Sequence, residues 1–199
     1  MDTDPKDLVD QAVEAAQRST RLNAAVAVTV AVLATFMGIC KVKDDNIVQA
    51  MQQAQADKID HWSYYQARNL RQEVAEVATL QFELARPAAA GAPSAAAYDQ
   101  AVTRYRQLAE DQARKKEELK AQAEADQRRY DELNYRDDQF DLSDALIAIA
   151  IAMLAVTALT QLWPLYAAAL LPTGFGVLMG LAGLAGWPLH PDGLIRLLS

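Results

Sequence analysis

The sequence predicts an all-α membrane protein: three transmembrane helices, with a long antiparallel helical hairpin, a coiled-coil-like stalk, between the first and the second. Three observations lead there. The apolar residues gather in three blocks, with almost all the charges outside them. Between the first two blocks lie two polar segments of nearly equal length, both free of glycine and proline. A short proline- and alanine-rich stretch separates those two segments. Average composition hides this layout, because 52% apolar and 23% charged residues describe an ordinary soluble protein, whereas here the charges lie almost entirely outside the blocks.

Residues 1–21 read as a short amphipathic helix. Asp4 is placed to cap it, Pro5 suits its first position, and Leu8, Val9, Ala12, Val13 and Ala16 make its apolar face. The first block, residues 22–40 (LNAAVAVTVAVLATFMGIC), carries no charge. At 1.5 Å per residue it spans about 29 Å, close to the ~30 Å hydrocarbon core of a bilayer. A cleaved signal peptide is the rival reading. The acidic lead (Asp2, Asp4, Asp7, Asp10, Glu14) and the lack of small residues in both positions before Cys40 favour a retained anchor.

Residues 41–141 form the extramembrane hairpin. Its first arm, residues 44–86, is rich in Gln, Ala, Glu and Arg, a helical composition. Apolar residues recur along it at Val48, Met51, Ile59 and Trp62, then at Ala67, Leu70, Val74, Val77 and Leu84. The later part steps by threes and fours, as a coiled-coil seam does. Arg86-Pro87 ends the arm, since proline disfavours helix in the residue before it, and residues 87–94 (PAAAGAPS) make the turn at the tip. The second arm, residues 95–140, has its seam at Tyr98, Val102, Tyr105, Ala109, Leu119, Ala123, Tyr130, Leu133 and Phe140. The charged run Arg114 to Glu118 interrupts that seam as a solvated face. Two antiparallel arms that start and end at a membrane must match in length, and these do, at roughly 65 Å each.

The second block, residues 142–162, has Asp144 at its edge and an uncharged interior. The third, residues 165–187, follows after a tight turn at Gln161-Leu-Trp-Pro164, so the two helices form a hairpin. Trp163, Tyr166 and Trp187 sit where interfacial aromatics are expected. Pro172 is expected to kink the third helix or break it locally. The tail, residues 188–199, is apolar enough to rest on the bilayer surface.

Small residues line one face of each span: Ala27, Ala31, Ala34 and Gly38 on the first; Ala145, Ala148, Ala152 and Ala155 on the second; Gly176, Gly180 and Gly183 on the third. Such stripes let helices pack closely, within a chain or between chains. The hairpin carries more aromatic and apolar positions than one thin seam needs, with Trp62, Tyr98 and Tyr105 beside Leu70, Val74 and Val77. Several hairpins side by side bury these, so a homo-oligomer, or a stable membrane-protein partner, is expected. The lipid bilayer is the other partner, and the net charge of −7 argues against nucleic acid.

The count of Lys and Arg near the spans places the stalk in the cytoplasm. Arg18 and Arg21, directly before the first span, pull the other way. A single cysteine excludes an internal disulfide.

The sequence carries no catalytic signature. His61 and His190 are far apart, Cys40 stands alone, and no glycine-rich phosphate loop is present. Asp44-Asp45 and Asp137-Asp138 are expected to meet at the membrane-proximal base of the hairpin, where capping and solvation explain them better than a cation does. No cofactor and no metal site is expected.

The run KVKDDNIVQAMQQAQADKID (residues 41–60), followed by WSYYQAR (residues 62–68), resembles a bacterial membrane-protein family catalogued only as a domain of unknown function. The layout is similar too: one span, a long polar helical section, then two spans close together. The short proline- and alanine-rich tip is the departure. The resemblance implies a bacterial inner-membrane protein and carries no activity with it.

The function expected is therefore non-enzymatic: an oligomeric membrane scaffold whose stalks self-assemble or dock a partner. The alternative is an oligomeric pore or an accessory subunit of a transport complex. No ionisable residue lies deep in a span, which counts against a coupled transporter.

Overall fold

The computed structural model describes residues 5–86 and 95–189, which form three α-helices and no strand. Helix α1 runs Pro5–Ala85, α2 runs Ala95–Thr160 and α3 runs Trp163–Ala185. Each contains a stretch long and apolar enough to cross a membrane. The N-terminal helix, the first apolar block and the first hairpin arm are one element of 81 residues. The sequence explains this: Gly38 is the only glycine or proline after Pro5 in α1, and Pro5 at the first helical position lacks an N–H that would be unpaired there anyway. The expected tip at 87–94, the tail from residue 190 and the Asp4 cap lie outside the described residues, as do the side chains of Leu8, Val9, Ala12 and Ala16.

The connection between α2 and α3 is shorter than expected. Only Gln161 and Leu162 separate the helices, because Pro164 already sits in the first turn of α3. Gln161 takes the left-handed conformation at φ 58°, which costs a non-glycine residue about 1 kcal/mol. Its backbone N–H bonds to Thr157 O at 2.9 Å, and its side-chain amide donates to Asn23 Oδ1 at 2.8 Å and to Ala158 O. The expected break at Pro172 does not occur: α3 runs unbroken through it, and the Thr173 hydroxyl donates to Ala169 O at 2.8 Å within that turn.

The chain divides into two compact units, Met1–Gln49 with Leu133–Ser199, and Ala50–Glu132. In the first, α1, the end of α2 and α3 enclose a core of Leu22, Val26, Leu33, Ile147, Ala150, Leu154 and Ala169. Thr29 and Tyr166 join α1 to α3 through their hydroxyls at 3.0 Å. The glycines of α3 set how closely its neighbours approach. A Cβ on Gly176 would lie 2.8 Å from Ile147, one on Gly180 would lie 2.6 Å from Phe36, and one on Gly183 would lie 2.8 Å from Phe140. Only hydrogen fits at these three places.

The second unit is an antiparallel helix pair. From α2 it buries or half-buries Tyr98, Val102, Tyr105, Ala109, Gln112, Lys116, Leu119, Ala123, Asp126 and Tyr130. From α1 it uses Met51, Ala54, Lys58, His61, Tyr65, Arg68, Gln72, Ala75, Thr79 and Phe82. Small residues allow close approach at Ala54, Ala75, Ala109 and Ala123, and polar pairs fill the rest. Lys58 donates to Gln127 at 2.7 Å, Arg68 to Gln112 at 3.0 Å and Lys116 to Asn69 at 3.1 Å. Near the end of α1 and the start of α2, Phe82 stacks on Tyr105 and meets Tyr98 edge-on.

Candidate functional site

Two features of the fold stand apart from ordinary packing. One is a group of ionisable side chains in the three-helix unit, where α1 and α2 leave their apolar stretches. Asp44 on α1 is 4% exposed. Its Oδ2 takes the Lys41 ammonium at 2.7 Å, and Lys41 also reaches the exposed Asp45 at 3.5 Å. The bond to Asp44 raises the Lys41 pKa above its ordinary range. Asp44 Oδ1 is buried with no N–H or hydroxyl donor. From α2 the carboxyl of Asp137 comes within hydrogen-bond reach of Asp44. Burial, then that bond and the charges of Asp141, Asp44 and Asp138, push Asp137 up to about 7. Asp141 is raised as well, by burial first and by Asp44 second. Asp137 thus holds its proton to higher pH than an ordinary aspartate does.

Of the four carboxylates expected at the base of the hairpin, the structure thus brings Asp44 and Asp137 together, while Asp45 turns to Lys41. Among the described residues no three His, Cys, Asp or Glu side chains gather in an arrangement able to hold a metal ion. His61 lies in the other unit, with Nδ1 2.7 Å from Asp126.

Next to Asp137, α2 closes the end of α3. Arg136 donates to Gly183 O at 2.8 Å, and Gln139 Nε2 donates to Trp187 O at 2.8 Å and Leu189 O at 2.6 Å. The last carbonyls of a helix lack partners within it and form its negative pole, so the Arg136 guanidinium at Gly183 O satisfies both needs, while Gln139 ties down the segment that follows α3. Ser143 donates to Gly176 O at 2.8 Å one turn further along α2. Sequence reasoning missed all three, since a polar residue beside a span has many uses and nothing in the pattern names its acceptor.

The second feature is a stripe on α1 in the hairpin unit. Ser63, Ala67, Leu70, Val74, Val77, Gln81 and Leu84 follow a strict three-four spacing and all are exposed, Leu70 at 61% and Leu84 at 71%. The expected seam of the first arm therefore exists, but it does not face α2. A second three-four series on the other side of the helix, from His61 to Phe82, does that instead. Leu80 and Ile59 extend the exposed stripe, and Trp62, half in contact with Tyr65, lies at its edge.

The packing candidates divide the same way. Gly176, Gly180 and Gly183 are buried against their own chain, and Tyr98 and Tyr105 lie within the hairpin around Phe82. Ala27, Ala31, Ala34 and Gly38 are exposed, and nothing lies within 4 Å of a Cβ placed on Gly38. On α2, Ala148, Ala152 and Ala155 are exposed as well. Leu22, Val26 and Leu33 of α1 and Ile147, Ala150 and Leu154 of α2, rather than those stripes, make the inner faces.

Residues 22–186 match the model of a family described as Domain of unknown function (DUF4337). No curated protein and no solved structure matches the chain.

Proposed function

The chain belongs to the DUF4337 family, a domain of unknown function, and from that premise we propose that it is a bacterial inner-membrane protein working as an oligomeric scaffold. It spans the bilayer three times and acts through association of its helical hairpin, held on the cytoplasmic side, rather than through catalysis. One observation carries this reading: the exposed apolar stripe of α1 from Ala67 to Leu84. The hairpin closes on its own with alanines and polar pairs and spends its better apolar residues on the outside. A continuous exposed apolar face of this kind marks an interaction surface. The three-helix unit supports the membrane assignment. Apart from Asp144, no charged residue falls in residues 142–189, and the apolar side chains Val28, Val32, Ile149, Leu159, Leu171 and Phe175 point outward as lipid-facing residues do.

The test is the mass of the complex taken gently from native membranes, by native mass spectrometry. A single discrete multiple of the chain mass is the expected result, with Leu70→Asp or Val77→Asp reducing it to the single chain. A wild-type monomer, or variants that keep the full mass, would overturn the reading.

A further inference from the structure

We propose that the exposed stripe of α1 pairs with the same stripe of a second copy of this chain, as a parallel, in-register, two-stranded contact. The inference rests on the scaffold reading above and says which surface meets which.

Written as a heptad, the stripe places Ala67, Val74 and Gln81 at a and Ser63, Leu70, Val77 and Leu84 at d. β-Branched residues at a with leucine at d favour two strands over three or four in parallel pairs. Val74 at a, with Leu70 and Leu84 at d, follows that rule; Val77 at d is the departure from it. Gln81 is the one polar a position inside the apolar stretch. Facing its own copy it can exchange amide hydrogen bonds only when the two helices are parallel and in register, the way a lone polar a residue fixes alignment.

The flanking positions agree. In a parallel pair each g residue meets the e residue five positions on in the other strand. Gln66 then faces the partner's Arg71, Glu73 faces the partner's Ala78, and Leu80 faces the partner's Ala85. No like charges oppose one another, and Leu80 widens the apolar contact. The face remains available, because the hairpin uses the b and f positions of the same heptads, Arg68, Gln72, Ala75, Thr79 and Phe82, to hold α2. Three heptads make a marginal pair for free peptides. Copies inserted in one membrane share a direction and a confined volume, which fixes the parallel orientation and raises effective concentration.

The experiment is disulfide trapping in the full-length protein in native membranes. Leu70→Cys and Leu84→Cys are made singly, with Glu76→Cys as an exposed control outside the stripe and the wild type, whose one thiol, Cys40, is buried. Under mild oxidation each stripe variant is expected to give about tenfold more linked dimer than the control, since only the same position of a parallel partner comes within disulfide range. Dimer formed only when Leu70→Cys and Leu84→Cys chains are mixed would show an antiparallel pair and overturn the proposal. Equal linking at Glu76 would reduce the result to random collision and overturn it as well. If neither stripe position links while the native mass is still a multiple of the chain, the copies associate in another way and this proposal fails; the Leu70→Asp and Val77→Asp masses then decide whether the hairpin reading stands. A monomeric mass would end both.

Discussion

Asp44 and Asp137 come from different helices and lie within hydrogen-bond reach of each other, with Asp44 almost wholly buried. Asp44 receives the Lys41 ammonium at 2.7 Å. Asp137, raised to about 7, keeps its proton well into the neutral range. Below about pH 4, the ordinary aspartate value, folded and unfolded chains both hold this proton and Asp137 adds no pH dependence. As pH rises from there, the folded state retains a proton that the unfolded state has lost, so stability falls through the window up to about 7 and levels off above it. The protein in nanodiscs is expected to melt several degrees higher near pH 5.5 than near pH 8. Asp137→Asn removes most of that slope and raises the melting point at the higher pH; Asp141, raised for the same reasons, leaves a residue of it. A pH-independent melting curve in the wild type would contradict the assignment.

Gly180 and Gly38 test the packing of the three-helix unit from opposite sides. Gly180→Ala puts a methyl 2.6 Å from Phe36 and 2.8 Å from Ser143 Oγ and is expected to cost about 1–3 kcal/mol, the usual penalty for overfilling a close contact. Gly38→Ala meets nothing and is expected to stabilise α1 by about 0.5–1 kcal/mol through helix propensity alone. Thermal melts of the two variants should move in opposite directions. A Gly180→Ala protein as stable as the wild type would mean the α3 contact is looser than described.

The polar seam of the hairpin makes a different prediction. Gln112 is buried and accepts from Arg68 at 3.0 Å. Gln112→Leu strands the guanidinium and is expected to cost about 1–2 kcal/mol. Combining it with Arg68→Leu is expected to recover that loss and more, because an apolar pair replaces a partly buried polar one. If the double variant is the least stable of the three, the polar pair contributes net stability rather than alignment.

Arg136 holds the last turn of α3 through Gly183 O. Arg136→Ala is expected to loosen that turn by about 1 kcal/mol through loss of the bond and the dipole contact. Faster amide exchange confined to residues 182–187 would report it; unchanged exchange there would show that Gln139 alone suffices.

Much of this architecture was legible in the residues. The second arm shows its seam openly, because Tyr98, Val102, Tyr105, Ala109, Leu119, Ala123 and Tyr130 are the large or small apolar residues of an otherwise charged helix, and the hairpin uses every one of them. The first arm misled for a physical reason. Periodicity shows which positions share a face, not which neighbour covers it, and α1 carries two three-four series on different faces. The more apolar one, through Leu70 and Val77, drew the assignment. The one that meets α2 is built around Ala75, Gln72 and Arg68, whose value lies in size and hydrogen bonding rather than hydropathy. The glycines of α3 announced a close approach, but Phe36 and Phe140 as the groups approaching them follow only from the tertiary fold. The pairing of Asp44 with Asp137 was foreseeable from antiparallel geometry, and its proton was not, since that depends first on how deeply Asp137 is buried.

The two-residue link at Gln161 and Leu162 has a consequence for how the protein is made. A connection that short gives α3 no room to enter a bilayer on its own, and no charged residue between positions 145 and 189 offers a signal to hold back either helix. On the membrane reading proposed above, the two enter lipid together, as one closed pair. On that reading sidedness is set upstream, by the balance of Arg18 and Arg21 against Lys41 and Lys43 around the first apolar block. Everything after residue 145 follows that single choice, so moving basic residues across the first block should invert the whole molecule rather than leave it half inserted.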